Sequence, residues 1–159
     1  MADFPRSLKI ATVWLLVGGT LFLAIQAWEA QRHRARVQVD GAAVELRRSP
    51  DGHFHWPGRV NGVAVDFLVD TGATGTALPA ALARQAGLLR EGSVRSNTAG
   101  GVAEGWLARA DIDLQGGVRA ERLRVIVLPE LSSPLLGMDL LSRLHFSQRG
   151  EIMRIEAPR

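Results

Sequence analysis

Phe67-Leu68-Val69-Asp70-Thr71-Gly72-Ala73-Thr74 is the stretch on which the reading of this 159-residue chain turns. Val63, Val65, Phe67 and Val69 alternate with Ala64, Asp66 and Leu68, the period-two pattern of a strand with one strongly buried face. That strand ends at Asp70-Thr71-Gly72, so an acid passes from a buried strand straight into a turn. Gly72 lets backbone amides approach the carboxylate closely, and Thr71 and Thr74 bring hydroxyl donors. Alone, an Asp-Thr-Gly triplet arises by chance in about 3% of chains this long. Its usual meaning is a turn in which the Asp hydrogen-bonds the local backbone. Context has to decide.

Upstream, Asn61-Gly62 sits between apolar runs and predicts a two-residue hairpin turn with positive φ. The run His53 to Val60 before it reads as a strand interrupted by Pro57-Gly58, which points to an edge or a bulge. Val44 to Leu46 is a further short strand, ended by Arg47-Arg48 and the turn Ser49-Pro50-Asp51-Gly52. Downstream, Pro79 opens a helix through Ala86 that Gly87 ends. Strands follow at Val94 to Asn97, Val102 to Ala110 and Val118 to Leu128. Leu135-Leu136-Gly137 precedes a helical patch from Met138 to Leu144, and a last hairpin joins His145–Gln148 to Ile152–Ile155. Many short strands about ten residues apart predict a mostly β barrel or sandwich.

The first forty residues read as a separate piece. Ile10 to Ala27 is almost wholly apolar, with Gln26 its one strongly polar side chain. As a helix it would be about 27 Å long, close to the hydrocarbon thickness of a bilayer. Trp14 and Trp28 fall toward its ends, where indoles favour the interface. A buried core helix fits less well, because the run is apolar on every face and flanked by Arg6, Lys9, Arg32, Arg34 and Arg36. A cleaved signal peptide also fits less well, since Ile25 and Ala27 make a poor small-x-small site. The organisation expected is a tail over 1–9, a transmembrane helix over 10–28, a polar linker over 29–41 and a folded domain over 42–157. The cations flanking the span are nearly balanced; the expectation is a tail inside and an exported domain.

Composition excludes several chemistries. With no cysteine there is no disulfide, thiolate metal site or cysteine nucleophile. Nineteen cations nearly balance sixteen anions without a basic block, so no nucleic-acid partner is expected. His53 and His55 would share a strand face, and with His33 they lack a convincing third ligand, so no metal is expected. No glycine-rich phosphate loop or nucleophile elbow stands out.

The apolar strand before Asp70, Ala73-Thr74 after it, a glycine-containing hairpin some thirty residues on, and Leu135-Leu136-Gly137 together resemble the pattern of retropepsin-like aspartic proteases. The resemblance covers residues 41–157. Gly52-His53-Phe54, Asn61-Gly62 and Leu135-Leu136-Gly137-Met138 are similar to the bacterial branch with an N-terminal membrane segment. It implies a retropepsin-like, six-stranded-type β-barrel with one or two short helices, and a catalytic Asp70 supported by Thr71, Gly72, Ala73 and Thr74. Thr98, Ala99, Gly100, Gly101 and Val102 would form the flap that closes over substrate, an inert β-turn being the alternative. Leu135, Leu136 and Gly137 would pack beneath the catalytic loop. Trp106 reads equally as a cover for the cleft or as a core residue.

Peptide hydrolysis of this type needs two carboxylates sharing one proton. The chain has a single Asp-Thr-Gly, and Asp66, Asp111, Asp113 and Asp139 lack its context. The second carboxylate is therefore expected from another copy of Asp70 in a homodimer. The resulting expectation is a membrane-anchored aspartic endopeptidase, acting on peptide or protein without a cofactor, in a bacterial inner membrane with its domain periplasmic. The competing class is a peptide-binding or dimerisation module on the same fold.

Overall fold

Backbone pairing closes most of this chain on itself. The computed structural model describes residues 6–32, 36–39, 43–98 and 101–156. The chain divides into two units, Met1–Arg34 and Ala35–Arg159. In the first, one helix, α1, spans Arg6–Arg32. Its apolar side chains are exposed, from 47% at Ile25 to 76% at Leu15, and Thr20 satisfies its hydroxyl by donating to the Leu16 carbonyl at 2.7 Å. The expected helix over 10–28 therefore forms. Its reading as a span is not supported: among the described residues, no helix is long and apolar enough to cross a membrane.

In the second unit the strands are β1 (Arg36–Val39), β2 (Val44–Arg47), β3 (His55–Val60), β4 (Val63–Val69), β5 (Ala77–Pro79), β6 (Gly92–Thr98), β7 (Gly101–Leu114), β8 (Val118–Leu128), β9 (Leu135–Leu136), β10 (His145–Arg149) and β11 (Ile152–Glu156). Two short helices, α2 (Ala80–Gln85) and α3 (Met138–Leu141), complete it. The larger sheet runs β1-β8-β5-β9-β4-β3-β7-β6, and an additional β7–β8 pairing joins its two halves. That pairing closes β8, β5, β9, β4, β3 and β7 into a six-stranded ring, the mostly β barrel expected. A smaller sheet, β10-β11-β2, contributes Leu46, Met153 and Ile155 to the same core.

The turns follow their residues. Asn61 and Gly62 adopt φ of 46° and 85°, the two positive values a tight hairpin requires. Gly87, at φ 65°, ends α2 as expected. At Pro57-Gly58 the outcome differs from an edge or bulge, because β3 is paired on both sides. Gly58 faces Val65 on β4 and Leu114 on β7, and a Cβ there would lie 2.6 Å from the Asp113 carbonyl oxygen. The glycine permits this close crossing, and the Pro57 carbonyl accepts the Gln115 N–H at 2.9 Å. Within the stretch expected as a linker, β1 pairs with β8 from Arg36↔Glu121 to Val39↔Val118.

The core fills the ring. Trp56, Phe67, Leu78, Ile112, Val125, Val127 and Leu136 are almost wholly buried. The Trp56 indole N–H donates to the Gln115 carbonyl at 2.9 Å, so its one polar atom is satisfied. Of the expected buried face of β4, Phe67 is fully enclosed while Val63, Val65 and Val69 are half-buried.

Candidate active site

Asp70 lies where β4 stops and the chain begins its loop to β5. The two strands flanking that loop do not pair with each other. Between them sits β9, parallel to β4 through Leu68↔Leu135 and Val69↔Leu136, and bridged to β5 at Ala77↔Leu135. The Asp70 N–H donates to the Leu136 carbonyl at 3.0 Å, which extends the β4–β9 ladder to the acid itself. The Asp70 side chain turns back on its own loop, where Oδ1 accepts the Gly72 N–H at 2.9 Å. An added Cβ on Gly72 would stand only 3.2 Å from that oxygen, so the glycine keeps the carboxylate uncrowded. Asp70 is half-buried, whereas Thr71, Gly72 and Thr74 are exposed and Ala73 is intermediate.

Leu135, Leu136 and Gly137 lie against this loop. Leu136 is fully buried. Gly137 presses on Gly75 so closely that a Cβ would come within 2.5 Å of the Gly75 carbonyl carbon and 2.6 Å of its oxygen. Past that contact the next two residues hold the loop by their backbone: Met138 N–H donates to the Ala73 carbonyl at 2.8 Å and Asp139 N–H to the Thr74 carbonyl at 3.1 Å. Side chains from the same two segments also interlock. The Thr76 hydroxyl donates to Asp139 Oδ1 at 2.8 Å and accepts the Gly137 N–H at 3.3 Å. Asp139 Oδ1 further accepts the Leu140 N–H at 2.9 Å at the start of α3. Sequence reading did not single out Thr76 and considered Asp139 only to set it aside as a second catalytic acid. The available signal was a hydroxyl amid an apolar run and an acid in the first turn of a helix, each needing a partner once buried.

The flap candidate is the end of the β6–β7 hairpin, whose register runs from Gly92↔Leu107 to Thr98↔Gly101. Gly101 has φ 108° and open space around its missing Cβ, and Val102 is 69% exposed. Ala99 and Gly100 lie outside the described residues. The hydrogen bonds that join Asp70, Ala73 and Thr74 to Leu136, Met138 and Asp139 make one unit of loop and support, with Thr98, Gly101 and Val102 on a separate hairpin. Trp106 is half-buried and packs against the core cluster.

The histidine pair has another role. His55 lies between two carboxylates, Nε2 2.8 Å from Asp51 Oδ2 and Nδ1 3.3 Å from Asp66 Oδ2. Asp51 is held below the usual carboxylate range, first by the His53 N–H and then by His55. The two acids bind opposite ring nitrogens and so do not converge on one point. His33 lies outside the described residues. Among the described residues, no group of three or more His, Cys, Asp or Glu is placed to hold a metal ion.

Known proteins share this fold. The family model described as "gag-polyprotein putative aspartyl protease" matches residues 56–143, more than half of the chain. A crystal structure of a retropepsin-like aspartic protease from Rickettsia conorii is similar at TM-score 0.58 and 24% identity, over 78% of this chain and 94% of that one. EIAV protease, complexed with the inhibitor HBY-793, is similar at TM-score 0.50 and 20% identity, over 59% of this chain and 89% of that one. At these identities the structures speak for the fold. No curated protein matches the chain in sequence. With the family match spanning β3 to α3 and a closed β-barrel around it, the chain belongs to the retropepsin-like aspartic proteases, and its enzyme class is aspartic-type endopeptidase.

Proposed function

We propose that Asp70 is the catalytic acid and that the active species is a homodimer in which two Asp70 carboxylates meet across a two-fold axis. The observation that carries this reading is the single Asp-Thr-Gly of the chain, set at the end of β4 on a loop braced from beneath. In the pair, one carboxylate is ionised and the other protonated, because two carboxylates a few ångströms apart do not both ionise cheaply. The ionised one takes a proton from water as the water oxygen attacks the peptide carbonyl carbon. The protonated one gives its proton to the carbonyl oxygen. Collapse of the resulting diol, with proton transfer to the amide nitrogen, breaks the C–N bond and returns the shared proton to the pair. No covalent intermediate and no cofactor take part.

Residues 42–157 are the protease domain in this proposal. Thr71, Gly72, Ala73 and Thr74 shape the loop, Leu135, Leu136 and Gly137 brace it, and Thr98 to Val102 form the flap. Strand β10 supports the dimer, since it is the outer strand of the smaller sheet and exposed along its whole length. An edge with no partner strand among the described residues is open to a second copy. Localisation at a bacterial inner membrane, with the domain periplasmic, also belongs to the proposal. Its support is the exposed apolar side chains of α1. A periplasm-specific reporter fused after Arg159 should be active, and a fusion active only in the cytoplasm would reverse the orientation.

Sedimentation paired with cleavage of denatured casein at mildly acidic pH tests the central reading. Specific activity should fall on dilution as the dimer dissociates, and Asp70→Asn should be inactive. A monomer with full activity would overturn the proposal.

A further inference from the structure

A cleft of about 570 Å³ opens beside the base of the β6–β7 hairpin, with Arg90, Ser93, Arg95, Glu104, Trp106 and Pro129 among the residues that line it. Its geometry follows from the strand register. Ser93 is paired with Trp106 and Arg95 with Glu104, so these four side chains share one face of the hairpin. Gly105 lies between Glu104 and Trp106 on the opposite face, where a Cβ would come within 2.4 Å of the Val127 carbonyl oxygen. The alternation that seats Gly105 against the end of β8 therefore turns Glu104 and Trp106 to the other side.

The cleft carries more positive than negative charge among its lining side chains. Arg90 donates to the Ser93 hydroxyl at 3.0 Å. Arg95 meets Glu104 at 3.5 Å with both side chains 80% exposed, an ion pair that contributes little and yields readily to a competing anion. Glu91, next along the chain, is held instead by Arg109 at 3.0 Å. Two planar guanidinium groups suit the bidentate recognition of a carboxylate. The half-buried indole of Trp106 and the ring of Pro129 provide apolar wall for the methylenes of a glutamate stem.

We infer that this cleft is a binding subsite for an acidic side chain of the peptide substrate, outside the bond that is cut. The inference rests on the endopeptidase reading for its substrate, but binding can be measured without catalysis. An acid held here is gripped at the base of the hairpin whose far end is Gly101, so it anchors the peptide to the flap. Its contribution is to affinity, reading out in KM, and not to the chemical step.

The test uses the full-length Asp70→Asn chain and two fluorescein-labelled octapeptide pools, identical except that Glu in one is Gln in the other. Fluorescence anisotropy should show the Glu pool binding about tenfold more tightly at low salt, as a charge-assisted pair predicts. The preference should shrink as salt rises. Arg90→Gln combined with Arg95→Gln should abolish it while leaving binding of the Gln pool unchanged. In the active chain, the same double substitution should raise KM for a Glu-containing peptide and leave kcat intact. Equal binding of both pools, no binding of either, or a Glu preference that survives the double substitution would each overturn the inference. Casein cleavage by the unsubstituted chain reports separately on the endopeptidase reading, so the two failures are distinguishable.

Discussion

The loop that carries Asp70 and the hairpin that ends at Gly101 both depend on glycine, for opposite reasons. At Gly137, beneath the loop, the constraint is space: a methyl group would collide with the Gly75 backbone. At Gly101 the constraint is conformation: φ is 108° and nothing lies within 4 Å of where a Cβ would be. One site is packed and cross-braced, with Leu136 fully buried and Thr76 and Asp139 interlocked. The other is thin and solvated, with Val102 largely exposed. Catalysis by a fixed carboxylate wants the first kind of setting, and a cover that opens and closes wants the second.

This contrast can be broken or sharpened by substitution. Asp70→Asn should cost about 10³-fold or more in peptide hydrolysis, the scale of losing a general acid–base group. Its melting temperature should stay close to that of the parent, and a large drop would mean that Asp70 serves the fold instead. Gly137→Ala should force the loop and its brace apart and destabilise the domain by about 3 kcal/mol, with activity lost alongside; chemical denaturation measures it. Thr76→Val should cost about 1–3 kcal/mol, because it leaves the Gly137 N–H and one contact of Asp139 without the hydroxyl they share. Gly101→Ala should cost about 1 kcal/mol or less in global stability, since strain at a hairpin tip is relieved by local rearrangement. It should instead alter KM and kcat together. Equal destabilisation by Gly137→Ala and Gly101→Ala would erase the distinction between the two regions.

The sequence was most legible where a residue type has one conformational use. Asn61-Gly62 announced its turn because few other pairs tolerate two positive φ values in succession. Asp70-Thr71-Gly72 was legible because an acid at the end of an apolar strand is an unusual placement. Strands β5 and β9, three and two residues long, are too short for any period to register, yet they flank and fill the site. The Thr76–Asp139 bond joins positions 63 residues apart, and neither local pattern hints at the other. Strand β1 escaped notice because its pairing with β8 is made by backbone. At Pro57-Gly58 local rules for proline and glycine pointed to an edge, but a close crossing by β7 used the same pair inside the sheet.

The account turns on two identical chains completing one site, and subunit mixing tests this most directly. Unsubstituted chain and Asp70→Asn chain, combined in equal amounts and left to exchange, would retain about a quarter of the activity of the same total concentration of unsubstituted chain, since only pairs with two Asp70 carboxylates work. Retention of half, with activity tracking the unsubstituted fraction linearly, would show that each chain acts alone and would contradict the account.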